Sequence, residues 1–418
     1  MKKLSEDKII DLKLDLLMQG VDCDFNNLKT KRDIDSYRVN KIRVSDRHFI
    51  NPKSKKRKYI PDEILIGNPN FYQTIAKVYY NRNSNFILTY QKTVDKFLIK
   101  DKKKNCYLET EVNFIPLKSF SKRIFTTKEG KKIPENEIVT PISIDRLTIN
   151  PFDGCSMWLN GNECSFCGAS PKRVIGPQRI KPSITTISQY PSIRAWWNSQ
   201  KETVLEVICD SFQHIKISDF KPHLHFVITT GFLYGFEWDV VIEILSVIKE
   251  YFKVGETDSH LSLMPPKNID KLETVKKLGI KNVAFNLECF DQKVFETICK
   301  GKNFFIGYNN FREKLREAVK IFGRGYVRTN FVLGLEDLKN LIKGCEILAE
   351  EGIVSDYTIF FPRPASGIQK KTKDILTKAE VIDFTKNLVK IYQLYDYRPF
   401  TCNLSSRTSI ANDIYNLL

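Results

Sequence analysis

The chain has 418 residues, 42% of them hydrophobic, which is enough for one large domain with an appendage or for two domains. Lys and Arg (66) outnumber Asp and Glu (49), and the formal charge of +17 permits a polyanionic partner such as RNA. We expect no membrane association, because no run of about 18 apolar residues occurs and the N-terminus lacks the apolar core of a signal peptide. Ten cysteines in such a chain predict thiols or metal ligands in a reducing cytoplasm rather than a disulfide framework.

The first 140 residues are predicted to form a small α+β extension. Apolar residues among charges predict an amphipathic helix over residues 4–19, and β-rich runs predict strands at Phe86–Tyr90 and Tyr107–Ile115. The polar stretch 26–58 is predicted to be loop or a peripheral segment, and it contains the densest basic run, Lys53–Lys58. A glycine turn at Lys128–Lys132, followed by Pro134, marks the end of the extension.

From residue 141 onward, apolar runs of strand length alternate with helical periodicity, which predicts βα units on a parallel sheet. The predicted strands are Asp145–Asn150, His223–Thr229, His260–Met264, Asn282–Glu288, Tyr326–Leu333 and Tyr357–Phe361. The predicted helices are Trp238–Phe252, Asn268–Leu278, Gln292–Cys299, Phe311–Phe322, Asp337–Glu351 and a final capping helix, Lys378–Tyr395. Such units form an open doubly wound sheet or a partial barrel, and a barrel places its chemistry at the carboxyl ends of the strands.

Three cysteines that follow the first of these strands are the most informative motif. Cys155, Cys164 and Cys167 have the spacing C-x8-C-x2-C. Three thiolates on one loop can hold an iron–sulfur cluster and leave one iron open to a cofactor. The alternative is a structural zinc site, which usually needs four ligands; the five histidines show no H-x3-5-H spacing and none is near the cysteines in sequence.

The eight residues between Cys155 and Cys164 are predicted to form a small excursion of the cysteine loop. Asn160 and Gly161 supply a turn with positive φ, and Trp158 and Leu159 are expected to pack against the rim of the barrel.

A cysteine triplet after the first strand of a (βα)6 unit resembles the motif of the radical S-adenosylmethionine (radical SAM) superfamily. The usual spacing there is C-x3-C-x2-C. This chain departs from it, because it has eight residues between the first two cysteines where the family usually has three. The C-x2-C half matches, as do Phe166 between its cysteines and the following Gly168. The resemblance covers residues 141–370 and implies an α/β partial (βα)6 TIM-like barrel. Residues 1–140 would be an α+β extension, and residues 371–418 a helical cap.

The resemblance also implies cofactors and binding residues. Cys155, Cys164 and Cys167 would hold a [4Fe–4S] cluster, and its open iron would bind S-adenosylmethionine (SAM). The turn Thr229, Thr230 and Gly231 would contact the amino group of SAM, although it lacks the family's usual acidic third residue. Glu288 would contact the ribose, and Arg328 or Asn330 the carboxylate or the ribose. Gly334 would lie beside the adenine, and Phe166 is also implied to contact SAM. The loop Phe361–Gly367 would lie near the adenine and the substrate. Each position also has a purely structural interpretation. Thr229–Gly231 would be an ordinary βα turn, Glu288 would cap the helix that follows it, and Gly334 would relieve crowding at the end of a strand.

The implied reaction is reductive cleavage of SAM to a 5′-deoxyadenosyl radical that abstracts hydrogen from a small organic substrate in a biosynthetic pathway. A flavodoxin, ferredoxin or reductase would donate the electron. Two alternatives stay open. The same chemistry could modify tRNA or a peptide, which the net charge favours, or the chain could be a zinc-stabilised nucleic-acid-binding protein. The other seven cysteines form no second C-x2-C pair, and Cys289 is expected to face the cavity.

Overall fold

The computed structural model describes residues 5–28, 30–31, 33–42, 58–152, 154–159, 161–167, 192–216, 220, 224–362, 367–368, 376–399 and 407–418. The predictions that concern Asn160, Gly168 and most of the basic run 53–58 lie outside the described residues. No helix within the described ranges is long and apolar enough to cross a membrane.

The N-terminal part of the chain is a helix packed on a mostly antiparallel sheet. The helix α1 (Glu6–Gln19) ends at Gly20, whose φ of 72° suits glycine. The elements that follow are β1 (Asp22–Cys23), α2 (Phe25–Leu28), β2 (Val39–Ile42), β3 (Lys58–Pro61), β4 (Glu63–Asn68), β5 (Tyr72–Lys77), β6 (Phe86–Gln91), β7 (Lys96–Asp101), β8 (Cys106–Tyr107), β9 (Val112–Phe114), β10 (Ile124–Thr126) and β11 (Lys132–Pro134). The main sheet has the order β1-β6-β7-β9-β4-β5, with β8 beside β7. This part of the chain therefore combines helices with a mostly antiparallel sheet.

The remaining residues build a second sheet flanked by helices. Its elements are β12 (Val139–Ile142), β13 (Arg146–Ile149), α3 (Ser156–Leu159), α4 (Ile193–His214), β14 (His225–Thr229), α5 (Glu237–Ile248), β15 (His260–Ser262), α6 (Asp270–Lys277), β16 (Asn282–Ala284), α7 (Gln292–Ile298), α8 (Lys300–Phe305), α9 (Tyr308–Phe322), β17 (Val327–Leu333), α10 (Leu338–Glu350), β18 (Ile353–Ile359), α11 (Lys378–Tyr395) and α12 (Ala411–Leu417).

The strands of the second sheet lie side by side in chain order, from β12 to β18. Only β12 is antiparallel to its neighbour; β13 to β18 are parallel, as the βα alternation predicted. The carboxyl ends of these six strands therefore meet at one edge of the sheet, and the loops that leave that edge lie close together. The sequence prediction of a mixed α/β fold with a parallel sheet is confirmed.

The structure differs from the predicted elements in a few places. The sheet begins with β12, which crosses the predicted boundary at residue 141 and hydrogen-bonds along β13 from Val139 to Ile142. The long helix α4 was not predicted, whereas α11 has the predicted bounds, because Thr377 and Glu380 form a capping box that fixes its start. The last strand, β18, begins at Ile353 rather than at Tyr357.

Candidate metal centre

The cysteine loop leaves the carboxyl end of β13 and contains a short helix. Cys155 precedes α3, and the Ser156 N–H donates to the Phe232 carbonyl at 2.9 Å. A turn then returns the chain, with the Asn162 N–H bonded to the Met157 carbonyl at 2.8 Å and a φ of 69° at Gly161. The excursion predicted for this insert therefore includes one turn of helix that the sequence did not predict, and Gly161 has the expected positive φ. Trp158 is half-buried.

The turn at Thr229–Gly231, after β14, packs against the cysteine loop. A Cβ atom on Gly231 would lie 2.9 Å from the Cys155 Cα and closer still to the Gly154 backbone. Gly231 does not have positive φ, so this close backbone contact is its reason for being glycine. Within the described residues, the Oγ1 of Thr230 is buried and has no hydrogen-bond partner. A polar ligand group at this turn would satisfy it.

The pKa values of Cys155 and Cys164 are both raised, for different reasons. Burial raises the pKa of Cys155, the N–H groups of Phe232 and Met157 lower it, and the charges of Cys164 and Cys167 raise it again. The pKa of Cys164 is raised well above its ordinary value, first by a side-chain hydrogen bond with Cys299 and then by burial. The Cys167 N–H donates to the Cys164 carbonyl at 2.9 Å, so these two residues share one tight turn.

Glu288 is held by a lysine that the sequence analysis did not single out. The Lys302 Nζ lies 2.7 Å from the Glu288 Oε1 and 2.6 Å from the Asn286 carbonyl oxygen, and both side chains are buried. Burial raises the pKa of Glu288, and the positive charge of Lys302 opposes this effect. Glu288 has a φ of 71°, and its backbone pairs with Phe331 of β17.

Arg328 and Asn330 lie on β17 but not at its carboxyl end. Arg328 is the second residue of the strand, and its guanidinium donates to the carbonyls of Arg398 and Pro399, both at 3.1 Å. There it lines a cavity of about 610 Å³ at the amino ends of the strands. The structure therefore does not bring Arg328 to the cysteine loop, because a residue that begins a parallel strand lies at the opposite edge of the sheet.

Asn330 and Gly334 lie nearer the edge that bears the cysteines. The carbonyl of Asn330 accepts the Glu288 N–H at 3.0 Å, which brings these two predicted residues together. Gly334 follows β17 with a φ of 103°, a conformation that favours glycine.

The segment after β18 also reaches the cysteine turn. The N–H groups of Gly367 and Ile368 donate to the Ser165 carbonyl at 2.7 and 3.3 Å. Phe166, between the paired cysteines, is half-buried against the core. The carboxyl-end loops after β13, β14 and β18 thus meet around the three cysteines.

The residues around the cysteine loop fit an iron–sulfur cluster. The donor set is three thiols on one loop, backbone N–H groups favour the charged form of Cys155, and the Thr230 hydroxyl is without a partner beside them. Among the described residues, no group of three or more His, Cys, Asp or Glu side chains has the geometry of a site for a single metal ion.

Comparison with known proteins gives one curated relative. It is the bacteriochlorophyllide c C-7(1)-hydroxylase of Chlorobaculum limnaeum, 27% identical over 132 residues. The match covers 31% of this chain and 33% of the relative, so the chain aligns with about a third of that protein's length. No family model matches the chain.

Solved structures show a looser similarity. The FeFe-hydrogenase maturase HydG from Carboxydothermus hydrogenoformans has a TM-score of 0.40 and 15% identity over 63% of this chain and 55% of that chain. Methylornithine synthase (PylB) has a TM-score of 0.42 and 13% identity over 68% of this chain and 71% of that chain. A radical SAM methyltransferase from Sphaerobacter thermophilus has a TM-score of 0.38 and 11% identity, covering 75% and 76%. Scores of this size do not identify a reaction.

These similarities are partial: the match to the curated relative covers a third of that protein's length, and the solved structures are all below 25% identity. The class that the cysteine triplet predicts, and the C-x8-C-x2-C spacing itself, therefore stay predictions from the sequence.

Proposed function

We propose that this protein uses SAM and a [4Fe–4S] cluster to abstract a hydrogen atom from a small organic substrate in a biosynthetic pathway. When bound, the cluster supplies the electron that cleaves SAM to methionine and a 5′-deoxyadenosyl radical. A flavodoxin, ferredoxin or reductase would deliver that electron, in the reducing cytoplasm that the cysteine content predicts. The single observation that carries the proposal is the position of Cys155, Cys164 and Cys167 on one loop at the carboxyl edge of a parallel sheet.

We assign the sheet β13–β18 to a partial (βα)6 barrel. Its strands follow one another in chain order, whereas an open doubly wound sheet reverses its order at a switch point. Residues 1–140 would form the extension, 141–370 the barrel and 371–418 the helical cap. In a barrel, the carboxyl edge faces a common cavity, which would hold SAM and the substrate.

Each residue of the site has a distinct proposed task. Cys155, Cys164 and Cys167 would bind iron through their thiolates, and the Gly231 backbone packs closely against the cysteine loop. The Thr230 hydroxyl would meet the amino end of SAM. Glu288 and Asn330 would face the ribose, and Phe166 and Gly334 would line the cofactor space. Arg328 leaves this set, because it is bonded at the opposite edge of the sheet.

A small substrate is favoured over a macromolecule by the curated relative, whose name describes hydroxylation of a bacteriochlorophyllide. Modification of tRNA or a peptide is the second candidate, and the formal charge of +17 is the observation that favours it. Co-purification of RNA, with binding that weakens steeply as salt is raised, would support the second candidate.

Single alanine variants of the three cysteines test the assignment. Cys155→Ala, Cys164→Ala and Cys167→Ala should each lose the cluster, because three ligands are the minimum that leaves one iron open. Iron content after anaerobic reconstitution should fall from about four per chain, and 5′-deoxyadenosine formation with dithionite and SAM should stop. Cys106→Ala, at an exposed cysteine outside the loop, is the matched control. A Cys164→Ala protein with a full cluster and SAM cleavage would overturn the proposal.

A further inference from the structure

We propose that a cavity at the amino ends of the strands binds a small organic oxyanion, a molecule that carries a phosphate or carboxylate group, through Arg328. The cavity has a volume of about 610 Å³ and is lined by the starts of β16 and β17, by residues at and after the end of α11, and by α12. We call it the amino-edge cavity. It lies at the opposite edge of the sheet from the cysteine loop, so this inference goes beyond the proposed function and does not depend on it.

Arg328 is a buried cation that has no counter-ion among the described residues. It is 5% exposed, and both of its hydrogen bonds run from one terminal nitrogen, Nη1, to the carbonyls of Arg398 and Pro399. Within the described residues, neither its buried Nε nor its Nη2 has a hydrogen-bond partner. The carboxylates of Asp356 and Asp258 attract the guanidinium from further away, and no described carboxylate forms an ion pair with it. The guanidinium therefore still has donors to offer to an anion.

A role in stability alone does not account for this arrangement. Buried arginines are almost always paired, because an uncompensated charge in the protein interior is costly. The stretch 400–406, which follows Pro399, contains no Asp or Glu that could supply the missing charge. An oxyanion in the cavity would supply it, and the planar guanidinium can donate to two oxygens of a phosphate or carboxylate at once.

Two further arginines line the amino-edge cavity. Two carbonyls at the end of α10 accept from the Arg324 guanidinium at 2.8 and 3.1 Å and hold it in place. Arg398 is exposed, and its side chain has no partner within the described part of the chain. The carboxylates in the lining belong to Asp258 and Asp396, so cations outnumber anions there. The cavity is therefore suited to a negatively charged ligand.

Neutral polar groups in the lining indicate that the ligand is larger than a bare ion. Asn282 begins β16 and is 3% exposed, yet its side-chain amide has no hydrogen-bond partner among the described residues. The hydroxyls of Tyr395 and Tyr415 line the cavity as well and are likewise unpartnered within that part of the chain. Such groups can bond the hydroxyls of an organic molecule. A volume of about 610 Å³ also lies in the usual range of small-molecule pockets.

Isothermal titration calorimetry on the full chain, purified anaerobically, tests the site with defined probes. Ribose 5-phosphate or succinate should bind saturably, whereas ribose, which lacks the oxyanion, should not. Arg328→Gln removes the buried charge and should weaken binding by about tenfold or more, as expected for a lost charge-assisted hydrogen bond. Arg82→Gln, at an exposed arginine between β5 and β6 that has no ion pair among the described residues, is the matched control and should bind like the unchanged chain.

The outcomes decide both the site and the source of the oxyanion. Binding of ribose 5-phosphate assigns a phosphate ester and binding of succinate a carboxylate, and either result supports the site. Failure of both probes, or equal affinity in the unchanged chain and in Arg328→Gln, would overturn it. If Arg328→Gln does not fold, Arg398→Gln decides, because an exposed side chain can change without disturbing the core. It should bind about threefold more weakly, and an unchanged affinity would overturn the inference. The proposed function would stand in either case, because it rests on the cysteine loop at the other edge of the sheet.

Discussion

Among single residues, Glu237 shows how a buried carboxyl group positions the site. It follows the Thr229–Gly231 turn at the start of α5, and its Oε2 accepts the N–H groups of Leu233 and Gly235, both at 2.9 Å. Its Oε1 is buried, with no partner within the described residues. Burial therefore raises the pKa of Glu237 from 4.5 to about 7, although the two N–H groups oppose the rise. The carboxyl group thus fixes the loop that continues from the turn, and the Phe232 carbonyl of that loop accepts the N–H of Ser156, next to Cys155.

The raised pKa of Glu237 predicts a pH dependence of stability. The folded protein keeps this proton up to about pH 7, whereas the unfolded chain releases it near pH 4.5. The unfolded state binds fewer protons across this window, so the free energy of unfolding falls as pH rises through it. At 1.36 kcal/mol per unit, Glu237 should contribute a loss of about 3 kcal/mol between pH 4.5 and pH 8.

Urea denaturation at pH 5 and pH 8 measures this dependence. Glu237→Gln cannot titrate and should show a smaller fall than the unchanged chain. Asp239→Asn, at a half-exposed carboxylate two residues further on, is the control for the loss of a charge on the same helix. Equal falls in the unchanged chain and in Glu237→Gln would show that Glu237 titrates normally.

At the level of elements, contact between the turn after β14 and the cysteine loop is a steric requirement. Gly231→Ala would place its Cβ inside the backbone of Gly154 and Cys155, so one of the two loops must move. Overpacking of this kind costs about 1–3 kcal/mol. We therefore expect Gly231→Ala to bind iron less completely after reconstitution and to unfold at lower temperature.

Gly255→Ala is the matched variant for this experiment. A Cβ there meets only Gly279, at 3.9 Å, and Gly255 likewise does not have positive φ. Its iron content should equal that of the unchanged chain. Full cluster loading of Gly231→Ala, measured as iron per chain, would show that the loops have room to separate.

The elements also show which features the sequence could predict. The cysteine loop, the turn at Gly231 and Gly334 were predicted, because a parallel sheet brings the ends of its strands to one edge. Arg328 was misplaced: the pattern identifies a strand, but this residue is the second of β17 and does not lie near its carboxyl end. The helix α4 was missed because Arg194, Lys201 and Glu202 interrupt its apolar residues. Lys302 resembles a surface lysine in the sequence, and its partner Glu288 is 14 residues away.

For the whole molecule, α1 joins two hydrophobic cores. Its residues Ile9, Leu12 and Leu16 belong to the core of the N-terminal sheet, whereas Ile10, Leu14 and Leu17 belong to the core of the parallel sheet. A helix that buries apolar residues on both sides fixes the two sheets relative to each other. The extension is therefore packed as part of the same body as the candidate metal centre.

A buried ion pair joins the first helix to the last. The Lys13 Nζ of α1 lies 2.7 Å from the Asp413 Oδ2 of α12, and neither side chain is exposed. Thr74 of β5 donates to Asp413 as well, and so does the Tyr72 hydroxyl, at 2.7 Å. Both helices and the N-terminal sheet therefore depend on one carboxylate, which neither terminal sequence reveals by itself.

Removal of this carboxylate should destabilise the whole molecule. Asp413→Ala removes the carboxylate that pairs with the buried Lys13 ammonium and accepts from the Thr74 and Tyr72 hydroxyls, and breaking one side of a buried pair costs about 3–5 kcal/mol. Urea denaturation should show that loss as one transition at lower urea concentration, because α1 contributes residues to both hydrophobic cores.

Glu256→Ala, in the exposed pair with Lys253, should change stability little. The double variant Lys13→Met with Asp413→Leu should regain most of the loss, since it leaves no charge uncompensated. A separate early transition in Asp413→Ala would instead show that the N-terminal sheet unfolds by itself, and that the pair holds only the chain ends together.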